Sequence, residues 1–125
     1  MEITRKELNP GVVVLELKGP LQMGVECKRL ELAMDDLLKE KQTRVVLDLS
    51  QLTKIDSDGV GRVVKCLSRL RMVGGTLHLA GVTGMVDTAL KLTHVDRLVK
   101  IFPTAREASQ NLSATPPPSP AAPGH

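Results

Sequence analysis

The stretch Val45-Val46-Leu47-Asp48-Leu49-Ser50-Gln51-Leu52-Thr53-Lys54-Ile55-Asp56-Ser57-Asp58-Gly59-Val60-Gly61 decides how this chain reads. Arg44 to Leu49 is a run of β-branched and apolar residues. Three apolar residues in a row, Val45, Val46 and Leu47, fit a strand covered on both faces, as in a parallel sheet. A polar turn is expected next, with a helix starting immediately after Asp56-Ser57-Asp58. Asp or Ser at such a junction accepts hydrogen bonds from the free N–H groups of the first helical turn. A carboxylate there also lies favourably in the helix dipole. Gly59 and Gly61 keep side chains small, so that another protein's backbone can approach closely. Nothing in the loop resembles the G-x-x-x-x-G-K-[ST] cradle for phosphate.

Working outward, Ile3 to Leu8 and Val12 to Lys18 read as two strands around Asn9-Pro10-Gly11. Val25 to Lys41 is a helix, with Leu30, Ala33, Met34, Leu37 and Leu38 at helical spacing. After the deciding stretch, Val60, Val63, Val64, Leu67 and Leu70 mark a second helix, which Gly74-Gly75 ends. Thr76 to Ala80 is a short strand, Thr83 to Leu92 a third helix and Val99 to Phe102 a last strand. Thr104 and Glu107 stand at capping-box spacing at the head of a short helix reaching Asn111. The order β-β-α-β-α-β-α-β-α predicts one α/β domain with a mixed sheet.

With 125 residues the chain has room for one domain, and its 42% apolar and 25% charged content is that of a globular protein. No apolar run approaches the roughly 20 residues needed to span a bilayer. No apolar signal-peptide core follows the charges of the N-terminus, so a cytoplasmic location is expected. No amphipathic basic helix argues for direct membrane contact. Leu112 to His125 holds five of the eight prolines and no Asp, Glu, Lys or Arg. It reads as a disordered Pro-rich tail behind a domain of residues 1–111.

Cys27 and Cys66 have no Cys or His at metal-ligand spacing, so the sequence offers no metal site, and both are expected in buried or half-buried helix positions. Phe102 is the only aromatic residue, which argues against single-stranded nucleic acid, where several stacking platforms are usual. His78, His94 and His125 are scattered, and no Ser-His-Asp or Cys-His set can be assembled from spacing. Asp48, Asp56 and Asp58 superficially resemble the acid cluster of a receiver domain, but that fold wants an early acidic pair where this chain has a β-hairpin. No enzymatic activity and no cofactor are expected. The net charge of +3 is uneven: Gly59 to Met72 holds Arg62, Lys65, Arg69 and Arg71 and no acid. Arg62, Lys65 and Arg69 fall on one helix face, either a solvated face or a docking stripe for a partner of opposite charge.

The pattern of a strand ending LDLS, then x-L-x-x-I-D-S-x-G-V-G, a helix, GG and a strand resembles the STAS domain of anti-sigma factor antagonists. The resemblance spans about residues 1–110, including the paired N-terminal strands and the closing Leu98-Val99-Lys100-Ile101-Phe102. It implies a non-catalytic module that binds an anti-sigma factor of histidine-kinase-like ATPase fold and so regulates a sigma factor. Scaffold subunits of signalling or membrane-transport complexes are the alternative use of such domains. The resemblance further implies partner binding through Asp56, Ser57, Asp58, Gly59 and Val60, flanked by Arg62 and Lys65. The family's phosphoacceptor Ser or Thr stands two positions after the Asp of its D-S-S-G pattern. Here that position is Asp58. Ser57 is the one hydroxyl left in the loop, and its expected role is a structural hydrogen bond at the helix start rather than phosphate acceptance.

Overall fold

The computed structural model describes residues 1–114. Its elements are β1 (Glu2–Asn9), β2 (Val12–Leu21), α1 (Val25–Lys39), β3 (Arg44–Ile55), α2 (Ser57–Met72), β4 (Thr76–Ala80), α3 (Gly84–Leu92), a 3-10 turn (Val95–Arg97), β5 (Lys100–Phe102) and α4 (Ala105–Ala114). The five strands form one sheet in chain order. β1 pairs antiparallel with β2, and β2 through β5 run parallel. This is the mixed α/β domain expected from the sequence.

Alternation along the central strands sorts the core into two layers. Val13, Leu15 and Leu17 of β2, Val45 and Leu47 of β3, and Leu77 and Leu79 of β4 bury one sheet face under Leu30, Met34 and Leu37 of α1 and Val63, Leu67 and Leu70 of α2. Val12, Val14, Val46 and Ala80 point to the opposite face, where Ala108 and Leu112 of α4 cover them. The Val45-Val46-Leu47 run is therefore buried on both sides. Both cysteines are buried and unbridged. Thr104 caps α4 by accepting from the Glu107 N–H at 3.2 Å.

Several boundaries move, among them the end of β2, which runs from the expected Lys18 on to Leu21. β3 does not turn at Ser50 but continues to Ile55, because β2 continues beside it, pairing Leu21 with Ile55. A register shift between Gly19 and Pro20 lets the pairing survive the polar residues. β4 pairs no further than Asp48, which leaves Ser50, Gln51, Thr53 and Lys54 exposed and gives the segment its turn-like composition. α4 runs beyond the expected boundary at 111/112 to Ala114, because Leu112, 3% exposed, is part of the core. The rest of the expected tail, residues 115–125, lies outside the described residues. α1 stops at Lys39, with Lys41 at φ +60° in the left-handed region.

Gly59 and Gly61 have different tasks. A Cβ on Gly59 would lie 2.3 Å from the Leu21 carbonyl oxygen and 2.8 Å from Ile55 Cγ1, so the missing side chain brings α2 against the ends of β2 and β3. Around Gly61 nothing lies within 4 Å of such a Cβ. Gly59→Ala is expected to destabilise the domain by about 1–3 kcal/mol through overpacking. Gly61→Ala should stabilise it by about 0.5–1 kcal/mol through helix propensity. Urea denaturation of the two variants beside the parent checks the opposite signs.

Candidate functional site

Because β2 to β5 are parallel, the segments following β2, β3 and β4 gather at one end of the sheet, the end where α/β sheets commonly present their sites. Asp56, the single residue between β3 and α2, organises that end. Its Oδ1 accepts from the Gly59 N–H at 2.8 Å and caps α2. Its Oδ2 accepts from the Met23 N–H at 2.9 Å, in the segment joining β2 to α1. Its own N–H reaches the Leu21 carbonyl at 3.4 Å. The N–H donors of Met23 and then Gly59 stabilise the carboxylate and hold its pKa below the ordinary value of 3.8.

Ser57 and Asp58 follow as exposed residues in the first turn of α2. The Ser57 hydroxyl has no hydrogen-bond partner among the described residues, so the structural bond expected of it is made by Asp56 instead. Asp58 lies near the positive end of the helix dipole, with its carboxylate in no ion pair among the described residues. Gly59 and Val60, expected to face a partner, point inward: Gly59 against Leu21, and Val60 into the core. They position the loop rather than present a surface.

The basic face of α2 is not a free stripe. Arg62 donates to Glu31 at 2.7 Å, Lys65 Nζ lies 3.6 Å from the same carboxylate, and Arg69 donates to Asp35 at 2.5 Å. Glu31 and Asp35 are one turn apart on α1, and they neutralise α2 across the helix pair. Arg62 also lowers the pKa of the Cys27 thiol, but burial dominates and the net shift is upward. Burial pushes the Cys66 thiol up to about 12, so neither cysteine is a poised nucleophile. Asp48 is buried away from this loop, accepting from the Ser50 N–H at 3.0 Å, and no acidic cluster suited to a metal forms among the described residues.

One feature of this end escaped the sequence reading. Met23 and Val25, on either side of Gly24, are 72% and 66% exposed, and Met85 at the start of α3 is 60% exposed. The signal was an apolar pair bracketing a glycine between strand and helix, where turn residues are usual.

With that geometry in place, comparison with known proteins is decisive. Residues 4–108 match the STAS domain family. The chain belongs to the STAS domain family. A Thermotoga neapolitana protein, described as a candidate anti-sigma factor antagonist and a homologue of TM1081, is 33% identical over 78 residues, covering 62% of this chain and 69% of that protein. The crystal structure of a Thermotoga maritima protein also described as a candidate anti-sigma factor antagonist superposes with a TM-score of 0.75 at 27% identity, covering 88% of this chain and 93% of that one. The Bacillus cell fate determinant SpoIIAA in its phosphorylated form shares the fold, with a TM-score of 0.71 at 18% identity over 89% of this chain and 99% of that one. Within the STAS family, the resemblance is to the anti-sigma factor antagonist type.

Asp56 gives this end a pH dependence. A carboxylate with a depressed folded pKa contributes stability that is present above its unfolded pKa and is lost as pH falls through the folded value. The parent STAS domain should therefore lose stability as pH falls below about 4, the ordinary carboxylate value. Asp56→Asn should flatten that part of the curve and speed exchange of the Met23 amide, since a neutral carboxamide replaces the doubly bonded carboxylate. Thermal melts across acidic pH, together with amide exchange, check both.

Proposed function

We propose that this STAS domain is an anti-sigma factor antagonist that acts in the cytoplasm. It binds an anti-sigma factor of histidine-kinase-like ATPase fold through the loop at Asp56, Ser57 and Asp58, and so regulates sigma-factor-dependent transcription. The observation that carries this reading is Asp58: a carboxylate exposed on the first turn of α2, at the position where the family keeps its phosphoacceptor. Asp56 fixes the loop beneath it, and exposed Met23 and Val25 supply an apolar flank of the kind that protein interfaces cover. The protein acts by binding and not by catalysis.

Asp58 changes the chemistry of the switch. A phosphoserine carries about −1.5 to −2 charges and three acceptor oxygens. Asp58 supplies one permanent negative charge and two acceptor oxygens, and it has no hydroxyl to esterify. The loop is thus held in one charge state, and the partner meets a surface that a serine kinase does not reset. Arg62 and Lys65 enter this surface as an ion-paired border with Glu31 and not as a free basic stripe.

Incubation with the cognate anti-sigma factor and labelled ATP should leave the parent protein unlabelled, whereas Asp58→Ser becomes a phosphate acceptor. Pull-down with the parent should recover an ATPase-fold anti-sigma factor, and Asp58→Lys should weaken that complex by about tenfold or more, the size expected for losing a charge-assisted contact. Stoichiometric phosphate mapped to Ser57 of the parent, or recovery of a transporter subunit in place of an anti-sigma factor, overturns the reading.

A further inference from the structure

The opposite end of the sheet carries a second feature. β5 is three residues long and pairs only with His78, Leu79 and Ala80, so β4 begins at Thr76 and Leu77 with no β5 neighbour. The gap is a cavity of about 390 Å³ between the end of α2, the 3-10 turn and the end of α4. Its apolar lining is aliphatic: Leu67, Leu77, Val99 and Leu112. Arg71, Arg97 and Lys100 also line it, all three are exposed, and no acidic side chain does.

What sets the cations of this cavity apart is that three of them line one concavity with no acidic side chain among its lining. Arg5, Lys6, Arg62, Lys65, Arg69 and Lys91 are all in ion pairs. Arg71, Arg97 and Lys100 are in none among the described residues. Arg71 spends one donor on the Leu98 carbonyl at 2.6 Å, which anchors the guanidinium at the cavity and leaves its other donors open. Asp96, the acid nearest in sequence, is not part of the cavity's lining and is in no ion pair among the described residues. Three like charges converge on one concavity without internal compensation, an arrangement that an anion relieves.

Size and lining narrow the ligand further. At about 390 Å³ the cavity is at the small-molecule end of the range for binding pockets. No Phe, Tyr or Trp lines it, and the one ring in its lining, His78, is buried, so no broad stacking platform is offered to a base. The His78 ring is already engaged: its Nε2 is 2.9 Å from Asn111 Oδ1, and it packs on Phe102 with centroids 4.9 Å apart. What remains is a cationic rim over a Leu and Val floor.

We propose that this cavity binds a small aliphatic anion, with a carboxylate or phosphate head on Arg97, Lys100 and Arg71 and a hydrocarbon body over Leu67, Leu77, Val99 and Leu112. The site is independent of the antagonist reading. Asp58 and Arg71 are separated by most of α2, ~20 Å at the helical rise.

The full-length chain is titrated with octanoate, octyl phosphate, n-octanol, acetate and inorganic phosphate, followed by amide chemical shifts and calorimetry. Octanoate or octyl phosphate should bind saturably with shifts centred on Leu77, Val99 and Leu112, and whichever binds tighter identifies the head group. Octanol, acetate and inorganic phosphate should each bind about tenfold more weakly or worse. The exposed-site double variant Arg97→Gln/Lys100→Gln should keep the parent's melting temperature and lose about tenfold or more in affinity. Equal binding of octanol, equal binding of the short anions, undiminished affinity in the double variant, or no saturable binding of either long-chain anion overturns the proposal. None of these outcomes bears on the anti-sigma factor pull-down.

Discussion

One carboxylate with two donors holds together the end of the sheet where β2 and β3 give way to α1 and α2. Asp56 accepts from Gly59 on one oxygen and from Met23 on the other, which ties the start of α2 to the segment leaving β2. An N-cap alone would fix only the helix. The second bond fixes where that helix starts relative to the neighbouring strand, and Gly59 completes the fit by letting α2 close onto the Leu21 carbonyl. Both Asp56 oxygens are thereby engaged inside the domain. The carboxylate left exposed on this loop is Asp58, two residues on.

The same economy explains the charged faces of the helices. From sequence, the basic face of α2 reads either as a solvated face or as a docking stripe, since the helix carries four cations and no acid after Asp58. In the fold, α1 sets Glu31 and Asp35 against Arg62, Lys65 and Arg69, and exposed pairs of this kind contribute only modestly to stability. Their larger effect is on what can be recognised. A paired face does not steer a partner as a bare basic stripe would, whereas at the helix ends Asp58 and Arg71 are unpaired by other side chains among the described residues.

The legible parts of the fold were those with strong local signals. Val45-Val46-Leu47 announced a strand buried on both faces, the periodicity of α1 and α2 announced their core faces, and Thr104 with Glu107 announced a capped helix. What stayed hidden depended on distant partners. Nothing between Ser50 and Ile55 says strand, because its backbone is satisfied by β2 more than thirty residues earlier. The partner of Arg62 is likewise 31 positions away. Leu112 is different: it stands four residues after Ala108 at helical spacing, and only the proline-rich composition beyond it obscured a signal that was present.

The two ends of α2 are chemically opposite, and each suits the helix. An acid at the first turn and arginines at the last both align with the macrodipole, so neither end opposes helix formation. Direct electrostatic coupling between them is weak: ~20 Å is more than two Debye lengths at physiological salt, about 8 Å each. An anion at Arg71, Arg97 and Lys100 therefore cannot influence the Asp58 loop by charge alone. Any coupling would have to be mechanical, as a displacement of α2 over the sheet. Gly59 is where such a displacement meets resistance, because the helix already touches the Leu21 carbonyl there with no side chain left to compress. The contact that positions the Asp56–Asp58 loop is thus the one that would report a movement of the helix to it.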